Sequence, residues 1–183
     1  MMKDLAMHIM DIVQNSISAG ATLIKVTIFE SVKEDTLKLT IADNGKGIPA
    51  EILEKVTDPY VTSRTTRKVG LGLPLLKQHA DSTGGNLTID SKEGSGTTVI
   101  ATFGLTHFDR QPLGDIAGTM VLLAGANLKI RFVYEHTTEA GEYRFDTDEV
   151  NEMLEGMSIS EASVMRFLKE MINENLKEIK ISG

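Results

Sequence analysis

The chain's 183 residues suffice for one good hydrophobic core, or for one domain with a smaller appendage, but not for two full-sized domains. The balance of 19 Lys and Arg against 26 Asp and Glu, a formal charge of −7, argues against broad attraction to nucleic acid or an anionic membrane. The absence of cysteine excludes disulfides, thiolate metal sites and cysteine nucleophiles, and it fits a reducing compartment.

No signal-peptide core follows Lys3, because Asp4, His8 and Asp11 interrupt the apolar positions, and no run approaches the roughly 18 apolar residues of a membrane span. A soluble, cytoplasmic protein is expected, with neither nucleic acid nor membrane as a partner. Leu5, Ile9, Ile12, Val13 and Ile17 recur at helical spacing and predict an amphipathic helix from about Lys3 to Ser18, ended by Gly20. "TLIKVTIFES" and "TLKLTIAD" alternate apolar and polar residues and predict a hairpin. After the glycine-rich turn "DNGKGIP", Pro49 opens a short helix through about Val56. "DPYVTSRTTRKVG", Asp58 to Gly70, has no periodicity and reads as a long mobile loop. "LGLPLLKQHADSTGG" predicts a helix with Pro74 in its first turn and Gly84 and Gly85 at its end; "NLTIDS" and "GTTVIATF" then predict two strands.

Beyond about Leu105 the pattern changes. A helix near Leu113 to Ala124 leads to a hairpin of "NLKIRFVYEH" and "GEYRFDT", then to helices from Asp148 and Ser158. Ser158 with Glu161 has the spacing of a capping box, and Val164, Phe167, Leu168, Met171, Ile172 and Leu176 continue an apolar face. These patterns divide the chain into residues 1–104 and a C-terminal α/β extension, 105–183, expected to pack on the first part.

Three local patterns carry chemistry. Asp11 and Asn15 stand four apart on the first helix, about 40° from each other around its axis, so they project together. An amide oxygen can enter the shell of Mg, while a nearby carboxylate can accept a proton or orient a nucleophile. Taken alone, the pair is the ordinary wet face of an amphipathic helix. Asp43 ends a strand ahead of Gly45 and Gly47, where a carboxylate can accept from an exocyclic amine such as adenine's and glycines let backbone approach a flat ring. "DNGKG" alone is a common tight turn. "GLGL", Gly70 to Leu73, meets a helix start, whose N–H groups and dipole favour phosphate; Arg64, Arg67 and Lys68 lie just upstream, where a solvated basic loop is the plainer reading.

Together and in order, "DIVQNSISAGA", "DNGKGI", "GLGLPLLKQ" and "GSGTTV" resemble the N box and the three glycine boxes of the GHKL ATPase superfamily, over roughly residues 4 to 104. The superfamily includes histidine-kinase catalytic domains, anti-sigma-factor kinases, MutL-type mismatch-repair proteins, gyrase B subunits and heat-shock chaperones. The resemblance implies the Bergerat fold, an α/β (α+β) two-layer sandwich of a mixed sheet covered by helices, with ATP and Mg as cofactors. It implies Asn15 as the Mg ligand and Asp43 as the adenine contact, with Gly45, Gly47 and Ile48 beside the base and Thr97 supporting Asp43 through a water. It further implies Thr62, Arg64, Arg67 and Lys68 in a lid, Gly70, Leu71, Gly72 and Leu73 around the phosphates, and Tyr60 as a lid anchor.

The early helix is most similar to the mismatch-repair branch, whereas the stretch from "GLGLPLLKQ" to "GSGTTV", with Thr83 where kinases usually have histidine, follows the histidine-kinase pattern. Asp11 stands where several branches carry a catalytic glutamate and is the candidate general base. About ten residues precede the N box, so the helical hairpin carrying a kinase's phosphoacceptor histidine is not expected, nor is the strand that commonly precedes the box. The latter omission predicts a sheet edge left for a partner. The expected activity is that of a Mg-dependent ATP-binding kinase acting on a protein phosphoacceptor in trans, or an ATP-controlled regulator. The alternatives are an anti-sigma-like sequestering module and a MutL-like ATPase that dimerises with ATP.

Overall fold

The computed structural model describes residues 2–56 and 72–181. Its elements run α1 (Leu5–Ser18), β1 (Leu23–Ser31), β2 (Thr36–Asp43), α2 (Ala50–Leu53), α3 (Gly72–Ser82), β3 (Leu87–Lys92) and β4 (Gly96–Gly104). There follow α4 (Ile116–Ala126), β5 (Arg131–Thr138), β6 (Gly141–Asp146), α5 (Thr147–Met153) and α6 (Ala162–Ile179). The six strands make one mixed sheet in the order β3-β4-β2-β1-β5-β6, antiparallel except for the β1–β5 pair.

Strand alternation builds the core. Val26 opposes Ile41 and Ile41 opposes Val99, while Ile28 opposes Leu39 and Leu39 opposes Ala101, so every second residue forms an apolar row across neighbouring strands. The same parity continues into β5, where Ile24 opposes Phe132 and Val26 opposes Tyr134, and into β6, where Tyr134 opposes Phe145. Against these rows pack Ile9, Ile12 and Val13 of α1, Leu76 and Ala80 of α3, Met120 and Leu123 of α4, and Leu168 and Ile172 of α6. Lys25, on the opposite parity, points away and pairs with Glu135 at 2.6 Å.

Two devices fix α1. At its start Asp4 accepts from the Met7 N–H at 2.9 Å, and the Leu5 and Ala6 N–H groups donate to the carbonyls of Pro112 and Leu113. At its end the Gly20 N–H reaches the Ile17 carbonyl and the Ala21 N–H the Ser16 carbonyl, a Schellman motif with Gly20 at φ +77°. The same pattern at Gly84 and Gly85 ends α3.

Three expectations need correction. The edge beside β1 is not left for a partner: residues 23–29 pair in parallel with 131–137 of the same chain. Ser158 and Glu161 do not cap α6, which begins at Ala162. Glu161 accepts from the Ser158 N–H at 3.0 Å, but the Ser158 hydroxyl accepts from Ser160, so the pair closes a local turn ahead of the helix. Phe167, expected on the apolar face of that helix, is 58% exposed.

Candidate functional site

Antiparallel register sets three polar side chains in a row at one end of the sheet: Ser91 of β3 opposes Thr97 of β4, and Thr97 opposes Asp43 of β2. Directly opposed residues share a face, here the face covered by helices. A cavity opens there between the sheet and α1, with Asp43, Thr97, Ile41 and Val99 on the sheet side and Ile12, Asn15 and Ser16 on the helix side. Gly47, Ile48, Lys46 and Leu73 close its rim.

Asp43 is held on three sides. The Ser16 hydroxyl donates to its Oδ2 at 2.6 Å, and the Gly45 and Thr97 N–H groups donate to its Oδ1 at 2.9 and 3.3 Å. A carboxylate offers about four acceptor positions, so one is left, on Oδ2. The loop after Asp43 is tied down from both sides. Asn44 accepts the Thr22 and Leu23 N–H groups at 2.8 and 3.0 Å, the Lys46 N–H donates to the Ala19 carbonyl, and the Gly94 N–H donates to the Lys46 carbonyl at 2.7 Å. The Ile48 N–H donates to the Ser91 hydroxyl at 2.8 Å.

Asp11 does not line this cavity. It lies one turn up α1 against the first residue of α3, so close that a Cβ on Gly72 would fall 1.8 Å from its Oδ2. Burial pushes the Asp11 carboxyl above the ordinary carboxylate range, with His8 pulling the other way. Asn15 lines the cavity on the Asp11 side of the helix. Among the described residues no cluster of three His, Asp or Glu side chains could cage a metal. One amide oxygen suits an ion that keeps most of its shell as water and phosphate.

The structure therefore brings Asn15, Asp43, Gly47, Ile48, Leu73 and Thr97 to one cavity, with Gly45 beneath Asp43 and Gly72 against Asp11. Tyr60, Thr62, Arg64, Arg67, Lys68, Gly70 and Leu71 lie outside the described residues. Sequence reasoning missed Ser16 and Ser91. Both stand at positions whose periodicity calls for an apolar residue: Ser16 follows Ile9, Ile12 and Val13, and Ser91 follows Leu87 and Ile89. A polar residue on a buried parity needs a partner, and that signal was present.

Comparison with known proteins follows this geometry. Residues 3–107, more than half of the chain, match the family model described as histidine kinase-, DNA gyrase B-, and HSP90-like ATPase. The sensor histidine kinase WalK of Bacillus subtilis is 39% identical over 84 residues, which cover 43% of this chain and 13% of WalK. An uncharacterized sensor-like histidine kinase of Rhizobium meliloti is 38% identical over 82 residues, covering 42% of this chain and 16% of that protein. The chain thus spans a small part of the length of these relatives. Among solved structures, the N-terminal domain of a DNA repair protein superposes with a TM-score of 0.52 over 79% of this chain and 52% of that one, at 18% identity, a likeness of fold. Among the described residues no helix is long and apolar enough to cross a membrane.

Proposed function

The chain belongs to the histidine kinase-, DNA gyrase B- and HSP90-like ATPase family, and we propose that its cavity binds ATP with Mg to drive phosphoryl transfer to a protein in trans. The observation that carries this reading is Asp43: a carboxylate saturated on three sides, with one acceptor position left beside a slot walled by Ile41, Ile48, Leu73 and Val99. Apolar walls suit the faces of a purine, and the remaining acceptor suits its exocyclic amine. The kinase names of WalK and the Rhizobium protein support transfer rather than binding alone.

In this proposal residues 1–104 form the nucleotide-binding part and 105–183 an extension built onto its sheet. The Asn15 amide oxygen would hold the Mg, which neutralises phosphate charge when bound. The amides at the start of α3 would face the phosphates, joined by Gly70, Leu71, Thr62, Arg64, Arg67 and Lys68 from the preceding segment. Asp11, beside that helix start and with its carboxyl pushed up by burial, would take the proton from the attacking group. Most of the catalysis would be positioning.

The test is transfer of γ-labelled phosphate from ATP to proteins that co-purify with the chain. A labelled partner is expected, and Asp11→Asn is expected to keep ATP binding while slowing transfer by about 10²- to 10⁴-fold. Transfer that survives Asp11→Asn contradicts the base assignment. A stoichiometric complex without transfer supports the sequestering alternative, and ATP-driven dimerisation of the chain supports the MutL-like one.

A further inference from the structure

The geometry points to Ser91, which does not line the cavity, as the positioning residue that sets base preference by fixing the direction of the Thr97 hydroxyl; this rests on the nucleotide reading above. The Ser91 Oγ has three partners: the Ile48 N–H at 2.8 Å, the Gly96 carbonyl at 3.1 Å and the Thr97 Oγ1 at 2.7 Å. A hydroxyl has one proton and two lone pairs. An amide N–H can only donate, so Ile48 occupies one lone pair of Ser91. A carbonyl can only accept, so Gly96 takes the Ser91 proton. The contact with Thr97 is then satisfied in one direction alone, with Thr97 donating to the remaining lone pair of Ser91.

This has a consequence for the cavity. With its proton committed to Ser91, Thr97 Oγ1 offers only lone pairs to what enters. Its register partner Asp43 likewise has only an acceptor position left, because the Ser16 hydroxyl and the Gly45 and Thr97 N–H groups already donate to it. Two acceptors side by side match an amino group with two N–H bonds, reached directly or through one water. They oppose a carbonyl oxygen in the same place. The site is thereby set for a 6-aminopurine against a 6-oxopurine, and the setting comes from a strand that the base does not touch. Removing the Ser91 hydroxyl frees the Thr97 proton, so Thr97 becomes able to donate to a 6-oxo group.

The experiment measures dissociation constants of ATP and of inosine triphosphate, which carries a 6-oxo group, for the full chain. The wild type is expected to prefer ATP. Ser91→Ala is expected to lower that preference about tenfold, the scale of one neutral hydrogen bond, chiefly by improving inosine triphosphate, whereas Ser91→Thr retains it. Thr97→Val should lower the preference by itself, and adding Ser91→Ala to it should change nothing further. Equal losses for both nucleotides in Ser91→Ala would mark a merely structural role and overturn the proposal. So would an unchanged preference, or a further loss in the double variant. If Ser91→Ala does not fold, Thr97→Val decides: an unchanged preference there overturns the inference. A wild type that binds neither nucleotide overturns this proposal together with the nucleotide reading. A wild type that binds ATP, with variants that do not shift the preference, overturns this one alone.

Discussion

Gly47 shows how much of the site depends on a missing atom. It lies at φ +76°, and a Cβ there would fall 2.2 Å from the Lys92 carbonyl oxygen, so the loop after Asp43 can lie against the β3–β4 turn only as glycine. Gly20 has nearly the same φ, +77°, but nothing within 4 Å of a Cβ. Gly20→Ala should therefore cost only the backbone strain, roughly 1 kcal/mol. Gly47→Ala should cost more than about 2 kcal/mol and weaken ATP binding, because relieving the clash separates the loop from the turn. Urea denaturation of both variants, with ATP titration, checks this, and equal costs would contradict it. The glycines themselves were legible in "DNGKG". The reason for Gly47 was not, because Lys92 is 45 positions away in sequence and meets it only through strand pairing. The same holds for Ser16 and Ser91, whose partners depend on register, although their place on apolar parities was visible.

α1 and α3, which carry Asp11 and Gly72, are joined by a buried polar cluster. The His8 and His79 rings stack with centroids 5.9 Å apart; His8 Nε2 lies 3.0 Å from the Gln111 side-chain oxygen, and the Gln111 N–H donates to His79 Nε2 at 3.1 Å. Burial pushes both imidazoles below their ordinary value; His8 and Arg110 add to the depression at His79, while Asp11 and Asp4 oppose it at His8. The folded state therefore binds fewer protons than the unfolded chain just below pH 6.5, so stability rises with pH through this window. The melting temperature should fall as pH drops from about 7 to about 5.5, and His79→Gln should flatten the dependence; an equally steep fall in that variant would contradict the assignment. At this scale periodicity made α1, the β1–β2 hairpin, α3 and the β3–β4 hairpin readable. The start of α6 was misplaced because Ser158 and Glu161 close a turn whose sequence spacing is indistinguishable from that of a capping box.

The whole molecule is organised by the β1–β5 pairing. β5 and β6 place Phe132, Tyr134 and Phe145 in the same apolar rows as the first four strands, and α4 and α6 cover them. The segment leading to α4 caps α1, the helix that carries the candidate site, so the extension supports that site from behind. The hairpin was visible in sequence, but alternation reads the same whether a hairpin packs on a sheet or joins it; only pairing across more than 100 residues distinguishes the two. The resemblance in the first 104 residues came from four boxes that chemistry places at fixed points of the fold, whereas residues 105–183 carry packing, which many sequences satisfy. The most direct test of the nucleotide reading is calorimetric titration of ATP with Mg into the wild-type chain and into Asp43→Ala. Binding by the wild type and none detectable in a folded Asp43→Ala is the predicted result; tight binding that survives the substitution would contradict it.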